Sequence, residues 1–145
     1  MKKVLAIALL LFAARAVSAQ AGAGDVVIDP NAPINTFETE VIDFGNVIEG
    51  SEQVRTFTFT NTGKSPLIIT SIKGACGCTT FPESWPKDPI PPGGTATFKV
   101  KYDTSIRVGM FDKQIMVYSN AGNGTVTVKI KGKVVPAAGS SGSGQ

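Results

Sequence analysis

From residue 36 onward, apolar and polar side chains alternate in short runs. Ala96, Phe98, Val100 and Tyr102 interleave with Thr95, Thr97, Lys99 and Lys101, and Val126, Val128 and Ile130 interleave with Thr125, Thr127, Lys129 and Lys131. Successive side chains on a strand point to opposite faces, so each run predicts a strand with one dry and one wet face. Phe57 and Phe59 alternate with Thr56, Thr58 and Thr60 in a third such run, rich in β-branched residues. Residues 41–44, 67–72 and 111–118 are more continuously apolar or mixed and predict strands with greater burial. No window carries a 3.6-residue apolar period long enough for a core helix.

The residues between these runs are turn formers. Glu49-Gly50 and Asn61-Thr62-Gly63 interrupt the pattern, and Asn61-Thr62-Gly63 predicts a tight reversal in which Asn bonds its own backbone and Gly takes a positive φ. Pro91-Pro92-Gly93-Gly94 offers Pro then Gly at the two central positions of a type II turn. Residues 120–124 form a five-residue connection suited to a hairpin. Six or seven short strands in about 100 residues predict an all-β, antiparallel β-sandwich of about seven strands over residues 36–135. Residues 20–35 read as a flexible arm, ending at most in one short strand. Residues 136–145 are a Gly/Ser-rich tail that buries too little to fold.

The first 19 residues change the meaning of the charge. They have the three parts of a secretory signal peptide: Lys2 and Lys3, an apolar run over residues 4–14, and Val17-Ser18-Ala19 as a small-residue cleavage site. The formal charge of the 145-residue chain is +3, from 14 basic and 11 acidic residues. Setting aside Lys2, Lys3 and Arg15 leaves the body neutral, which argues against nucleic acid as a partner. The apolar run is shorter than the roughly 20 residues that a spanning helix needs, and the mature chain has no later transmembrane candidate. With no cysteine just after the cut, a lipid anchor is not expected. These features predict export to a periplasmic or extracellular space. Histidine is absent, which removes Ser-His-Asp and Cys-His catalysis and His-based zinc sites, and points away from an enzyme.

Several of these segments carry a resemblance. Residues 43–50 (DFGNVIEG), with residues 57–63 (FTFTNTG) and 66–69 (PLII), resemble the signatures of ASH/hydin-type immunoglobulin-like domains. Cys76-Gly77-Cys78-Thr79 and Pro89-Ile90-Pro91-Pro92-Gly93 are similar to a family of exported bacterial proteins known only as a domain of unknown function. The resemblance covers about residues 37–132. It implies an immunoglobulin-like sandwich related to PapD-like and major-sperm-protein domains, which are mostly non-enzymatic interaction modules. The expected function is therefore binding or structural, with an unknown protein partner engaged by strand pairing at a sheet edge.

Cys76-Gly77-Cys78 is the one constellation with chemical promise, since it holds the chain's only two cysteines. Three readings compete. A local disulfide across Gly77 would close a tiny loop, stabilise little and be easily reduced, which suits thiol redox work. Two thiolates would also suit Cu(I), with Met110 and Met116 as added thioethers if the fold brings them near; zinc lacks enough ligands. The third reading is packing alone, two small buried cysteines at a strand end.

The remaining candidates are weaker. Residues 81–90 read as a proline-rich loop in which Trp85 either covers Cys76 and Cys78 as a lid or plugs the end of the sandwich. Lys99, Lys101, Lys129, Lys131 and Lys133 make a cationic stripe if their strands adjoin, and otherwise guard exposed faces against aggregation. Glu38 and Glu40 pair as acid and base if they share a strand face beside a cleft. Asn123-Gly124-Thr125 matches the N-glycosylation pattern.

Overall fold

The alternating runs pair into two sheets. The computed structural model describes residues 29–138 and contains eight strands in chain order: β1 (Asn35–Phe37), β2 (Val41–Ile48), β3 (Glu52–Asn61), β4 (Ile69–Gly74), β5 (Thr79–Thr80), β6 (Thr95–Asp103), β7 (Gly109–Ser119) and β8 (Val126–Val135). One sheet has the order β1-β3-β6-β5 and the other β2-β8-β7-β4. The proposed signal peptide and most of the proposed tail lie outside the described residues. No helix among the described residues is long and apolar enough to cross a membrane.

The dry faces meet between the sheets. Phe57, Phe59, Phe98 and Val100 come from the first sheet, and Ile115, Val117, Val128 and Ile130 from the second; all eight are buried. Phe57 lies opposite Phe98 in the antiparallel β3–β6 ladder, and their rings stack at 5.3 Å. Such cross-strand aromatic pairs add to the roughly 1.5–3 kcal/mol that burial of each large apolar side chain contributes.

The turns follow their residue chemistry. Gly93 has φ +77° and the Gly94 N–H donates to the Pro91 carbonyl at 2.8 Å, the geometry expected with Pro92 and Gly93 at the centre of a type II turn. The Gly63 N–H donates to Asn61 Oδ1 at 3.0 Å, so Asn61 does close the reversal through its own side chain. Gly63 itself departs from the expectation, since its φ is not positive. What excludes a side chain there is close approach: a Cβ would collide with the Ala32 carbonyl oxygen and the Ile34 nitrogen. Residues 29–35, the end of the proposed arm, pack here, with Pro33 and Asn35 buried.

Three further details differ from the sequence reading. β1, of three residues, stands at the end of the arm, where one short strand is expected at most, whereas β5, of two residues, is an additional strand too short for a period to show. Leu67 stands outside β4 and forms an isolated antiparallel bridge with Ile90. One pairing, β2 with β8, is parallel, because exposed residues 38–40 carry the chain from one sheet to the other. A crossover of this kind, unlike a hairpin turn, does not impose antiparallel pairing.

Candidate functional site

The two cysteines sit where the chain changes sheets. β4 is the outer strand of the second sheet and β5 the outer strand of the first, so residues 75–78 cross the open side of the sandwich. Each end of the crossing is tied to one sheet: the Ala75 N–H donates to the Gln114 carbonyl on β7 at 2.9 Å, and Cys78 accepts from the Asp103 N–H at the end of β6 at 2.8 Å. Between them the Thr79 N–H donates to the Cys76 carbonyl at 3.3 Å, forming a turn. The turn brings the two Cα atoms to 5.3 Å with the sulfurs in disulfide contact, inside the roughly 4.4–6.8 Å that a disulfide accepts. Gly77 has no positive φ, and a Cβ built on it meets nothing. A left-handed glycine is therefore not what closes the turn.

The sulfurs differ in surroundings. Cys78 packs against the hydrophobic core, whereas Cys76 is not among the residues that do. Cys76 Sγ faces the Thr79 hydroxyl at 3.8 Å, and Thr79 is buried on β5. Beneath the pair, Tyr102 of β6 and Phe111 of β7 stack at 3.9 Å, joining the two sheets. Burial pushes the Tyr102 phenol up, with Arg107 opposing and Asp103 adding to the shift.

A second crossover, between β6 and β7, completes the site. Cys76, Cys78, Tyr102, Ile106, Arg107, Met110, Phe111 and Lys113 line an open depression of about 290 Å³. Ile106 is 60% and Met110 79% exposed. Arg107 and Lys113 form no ion pair with another described residue, although four other lysines do. Sequence periodicity passed over Ile106, Arg107 and Lys113. For Ile106 and Arg107 the available signal was an apolar and cationic stretch, residues 106–108, between β6 and β7 where a polar turn is usual; Lys113, inside β7, had none.

The other candidates are dispersed. Trp85 does not line the depression. It is half-buried and packs against the core, with Lys87 Nζ over its ring at 3.5 Å. Met110 reaches the site, but Met116 pairs across β4 with Lys73 and accepts the Tyr118 hydroxyl at 3.5 Å. No group of three or more Cys, Asp or Glu side chains among the described residues converges as a metal-binding set.

The lysine stripe does not form, because β6 and β8 belong to different sheets. Lys99 and Lys101 pair with Glu83 and Glu52 at 2.7 and 3.1 Å, and Lys129 and Lys131 with Asp112 and Asp43 at 3.1 and 3.9 Å. Glu38 and Glu40 lie exposed in the crossover after β1, outside any strand, and so share no strand face. The Asn123 amide donates to the Asn35 carbonyl at 2.9 Å and accepts the Asn35 N–H at 3.2 Å. It serves to fasten β1, and a glycan on that nitrogen would compete with the first of these bonds.

Two four-stranded sheets, a sheet switch after β1 and a β2 that runs along β8 define an immunoglobulin-like β-sandwich, similar in fold to ASH/PapD-like domains. The chain belongs to the family described as "Protein of unknown function (DUF1573)", whose model matches residues 35–134. In fold it is similar to a protein of unknown function from Porphyromonas gingivalis W83, at 16% identity and TM-score 0.64 over 76% of this chain and 51% of that one. It is also similar to an ASH/PapD-like domain of human CEP192, at 11% identity and TM-score 0.57 over 75% and 90% of the two chains. The Vibrio cholerae VesB protease matches at 16% identity and TM-score 0.58 over 71% of this chain and 32% of its own. The chain thus spans about half of the Porphyromonas protein and a third of the protease, and these likenesses show the fold alone. Among curated proteins none is significantly similar.

Proposed function

We propose that this chain is an exported, non-enzymatic binding module that holds an acidic protein surface with the cysteine end of its sandwich. One observation carries the reading: exposed Ile106 and Met110 stand beside Arg107 and Lys113, whose charges have no ion-pair partner among the described residues. Exposed apolar side chains rimmed by charge are what an interaction surface presents. Burial of Ile106 and Met110 supplies affinity, and the two cations supply orientation and a faster encounter. The depression is lined by no carboxylate and the chain has no histidine, so the commonest acid–base groups are not at the site. The sheet edges fit strand addition poorly, since β1 and β5 are very short and β2 and β4 carry register shifts, both ways of blunting an edge. Export rests on the character of residues 1–19.

A photocrosslinking residue at position 106 in the producing cell should capture one envelope protein reproducibly, and the same residue at Thr127 should not. Arg107→Glu with Lys113→Glu should abolish the capture, and added salt should weaken it. Equal capture from both positions, or capture indifferent to the charge reversal, would sink the reading.

A second reading is favoured by the placement of Met110. Once reduced, Cys76 and Cys78 offer two thiolates to Cu(I), and Met110 on the same depression offers a thioether, three soft donors that suit this ion. Reduced protein should then compete with a chromogenic Cu(I) chelator for one ion per chain, and Met110→Leu should weaken the competition. If Cys76→Ser with Cys78→Ser competes as well as wild type, copper is excluded.

A further inference from the structure

We propose that Cys76–Cys78 is a directional thiol–disulfide exchange site, in which Cys76 meets the outside sulfur and Cys78 resolves the mixed disulfide. This does not depend on the docking reading. A cross-link between residues two apart ties down almost no chain, so its use lies elsewhere than in stapling the fold. Cys78 is held by the core and by the Asp103 N–H, while Cys76 stands outside that packing. The pair lies on an open depression, which gives an outside sulfur room to approach. When Cys76 becomes a thiolate, the Thr79 hydroxyl at 3.8 Å is in place to donate to it. Arg107 and Lys113 on the same depression favour negative charge on sulfur. Core packing and the Thr79 donor therefore set Cys76 apart from Cys78, while the cations and the open depression serve the pair.

The partner is a protein dithiol. One of its thiolates attacks Cys76 Sγ, the Sγ–Sγ bond breaks, and the electron pair leaves on Cys78 Sγ, which takes up a proton. The partner's second thiolate, its proton given to water, then attacks the partner's first sulfur in the mixed disulfide. Cys76 leaves as a thiolate and is protonated in turn. Two electrons and two protons pass from the partner dithiol to the cysteine pair, and the partner becomes a disulfide. In the reverse reaction the Cys76 thiolate attacks the partner disulfide and one partner sulfur leaves as a thiolate. Cys78, its proton given to water, then attacks Cys76 Sγ, resolves the mixed disulfide and releases the second partner thiolate. Both partner thiolates take up protons.

The test uses the mature chain, with oxidised glutathione as an anionic probe and 2-hydroxyethyl disulfide as a neutral one, and reads adducts by intact mass. Cys78→Ser, which keeps Cys76, should form the glutathione adduct about tenfold faster near neutral pH than Cys76→Ser. Arg107→Gln with Lys113→Gln, added to Cys78→Ser, should slow the anionic probe more than the neutral one. The wild-type pair, which carries no substitution, should populate both redox states across glutathione buffers of changing composition. Equal or reversed rates for the two single variants, or a wild-type pair that stays oxidised against a large excess of reduced glutathione, would overturn the assignment.

Discussion

Replacing Cys76 and Cys78 together with serine, or reducing the pair in the wild-type chain, removes a cross-link that closes a loop of two-residue separation. In the chain-entropy account such a loop stabilises a fold by only about 1.5 kcal/mol, against roughly 3 kcal/mol for a 15-residue loop. The corner keeps its other fastenings: the Ala75, Thr79 and Asp103 N–H groups still donate to Gln114, Cys76 and Cys78, and the Tyr102–Phe111 stack lies beneath. Reduction should therefore lower the unfolding free energy by about 1.5 kcal/mol or less, and Tm by roughly 5–10 °C. Urea unfolding with and without reductant, together with a thermal scan of the double serine variant, measures both. The transition should stay cooperative with an unchanged denaturant slope. A loss of about 3 kcal/mol or more, or a broad non-cooperative transition, would make the pair a structural staple. The premise that the cross-link's use lies elsewhere than in stapling the fold would then fail.

Other expectations follow from the scaffold. Asn61 is fully buried, accepts from the Ile34 and Gly63 N–H groups and donates to the Ser65 and Ile90 carbonyls. Asn61→Ala strands at least two donors and should cost about 3 kcal/mol by urea denaturation; a loss near zero would contradict the burial. Gly63→Ala drives a Cβ into the backbone of residues 32–34 and should cost about 1–3 kcal/mol, while Gly77→Ala, which meets nothing, should stay within about 0.5 kcal/mol of wild type. Asp103 is held below the usual carboxylate range first by the Ser105 hydroxyl and then by the Ser105 N–H. Its depressed value gives stability that is present above the ordinary carboxylate pKa and lost as pH falls through the folded value. Ser105→Ala should raise the Asp103 titration toward the ordinary value in an NMR pH series and flatten that acid-side loss; an unmoved titration would remove the hydroxyl as its cause.

Much of the scaffold was legible along the chain because it is local. The alternation from Ala96 to Tyr102 became β6 and the Val126–Ile130 run became the start of β8. Pro92-Gly93 and Asn61-Thr62-Gly63 marked real turns. Periodicity has a two-residue range and turn chemistry about four, so both can be read without knowing what lies opposite. The same limits explain the misses. β5 is too short to show a period, and Gly63 answers to the segment around Ala32 rather than to its own φ.

The site belongs to the other category. Nothing near Cys76 in the chain indicates that Ile106, Arg107, Met110 and Lys113 surround it; two crossovers at one end of the sandwich bring them there. Lysine spacing likewise suggested a stripe, until the assignment of β6 and β8 to different sheets divided it. By itself the sequence determined that strands form, where most of them turn, and that two cysteines stand two residues apart. Only the tertiary structure decided which sheet each strand joins, which cysteine packs on the core and which charges share the depression with the pair. Those choices depend on long-range pairing and shared burial, which a short stretch of chain does not contain.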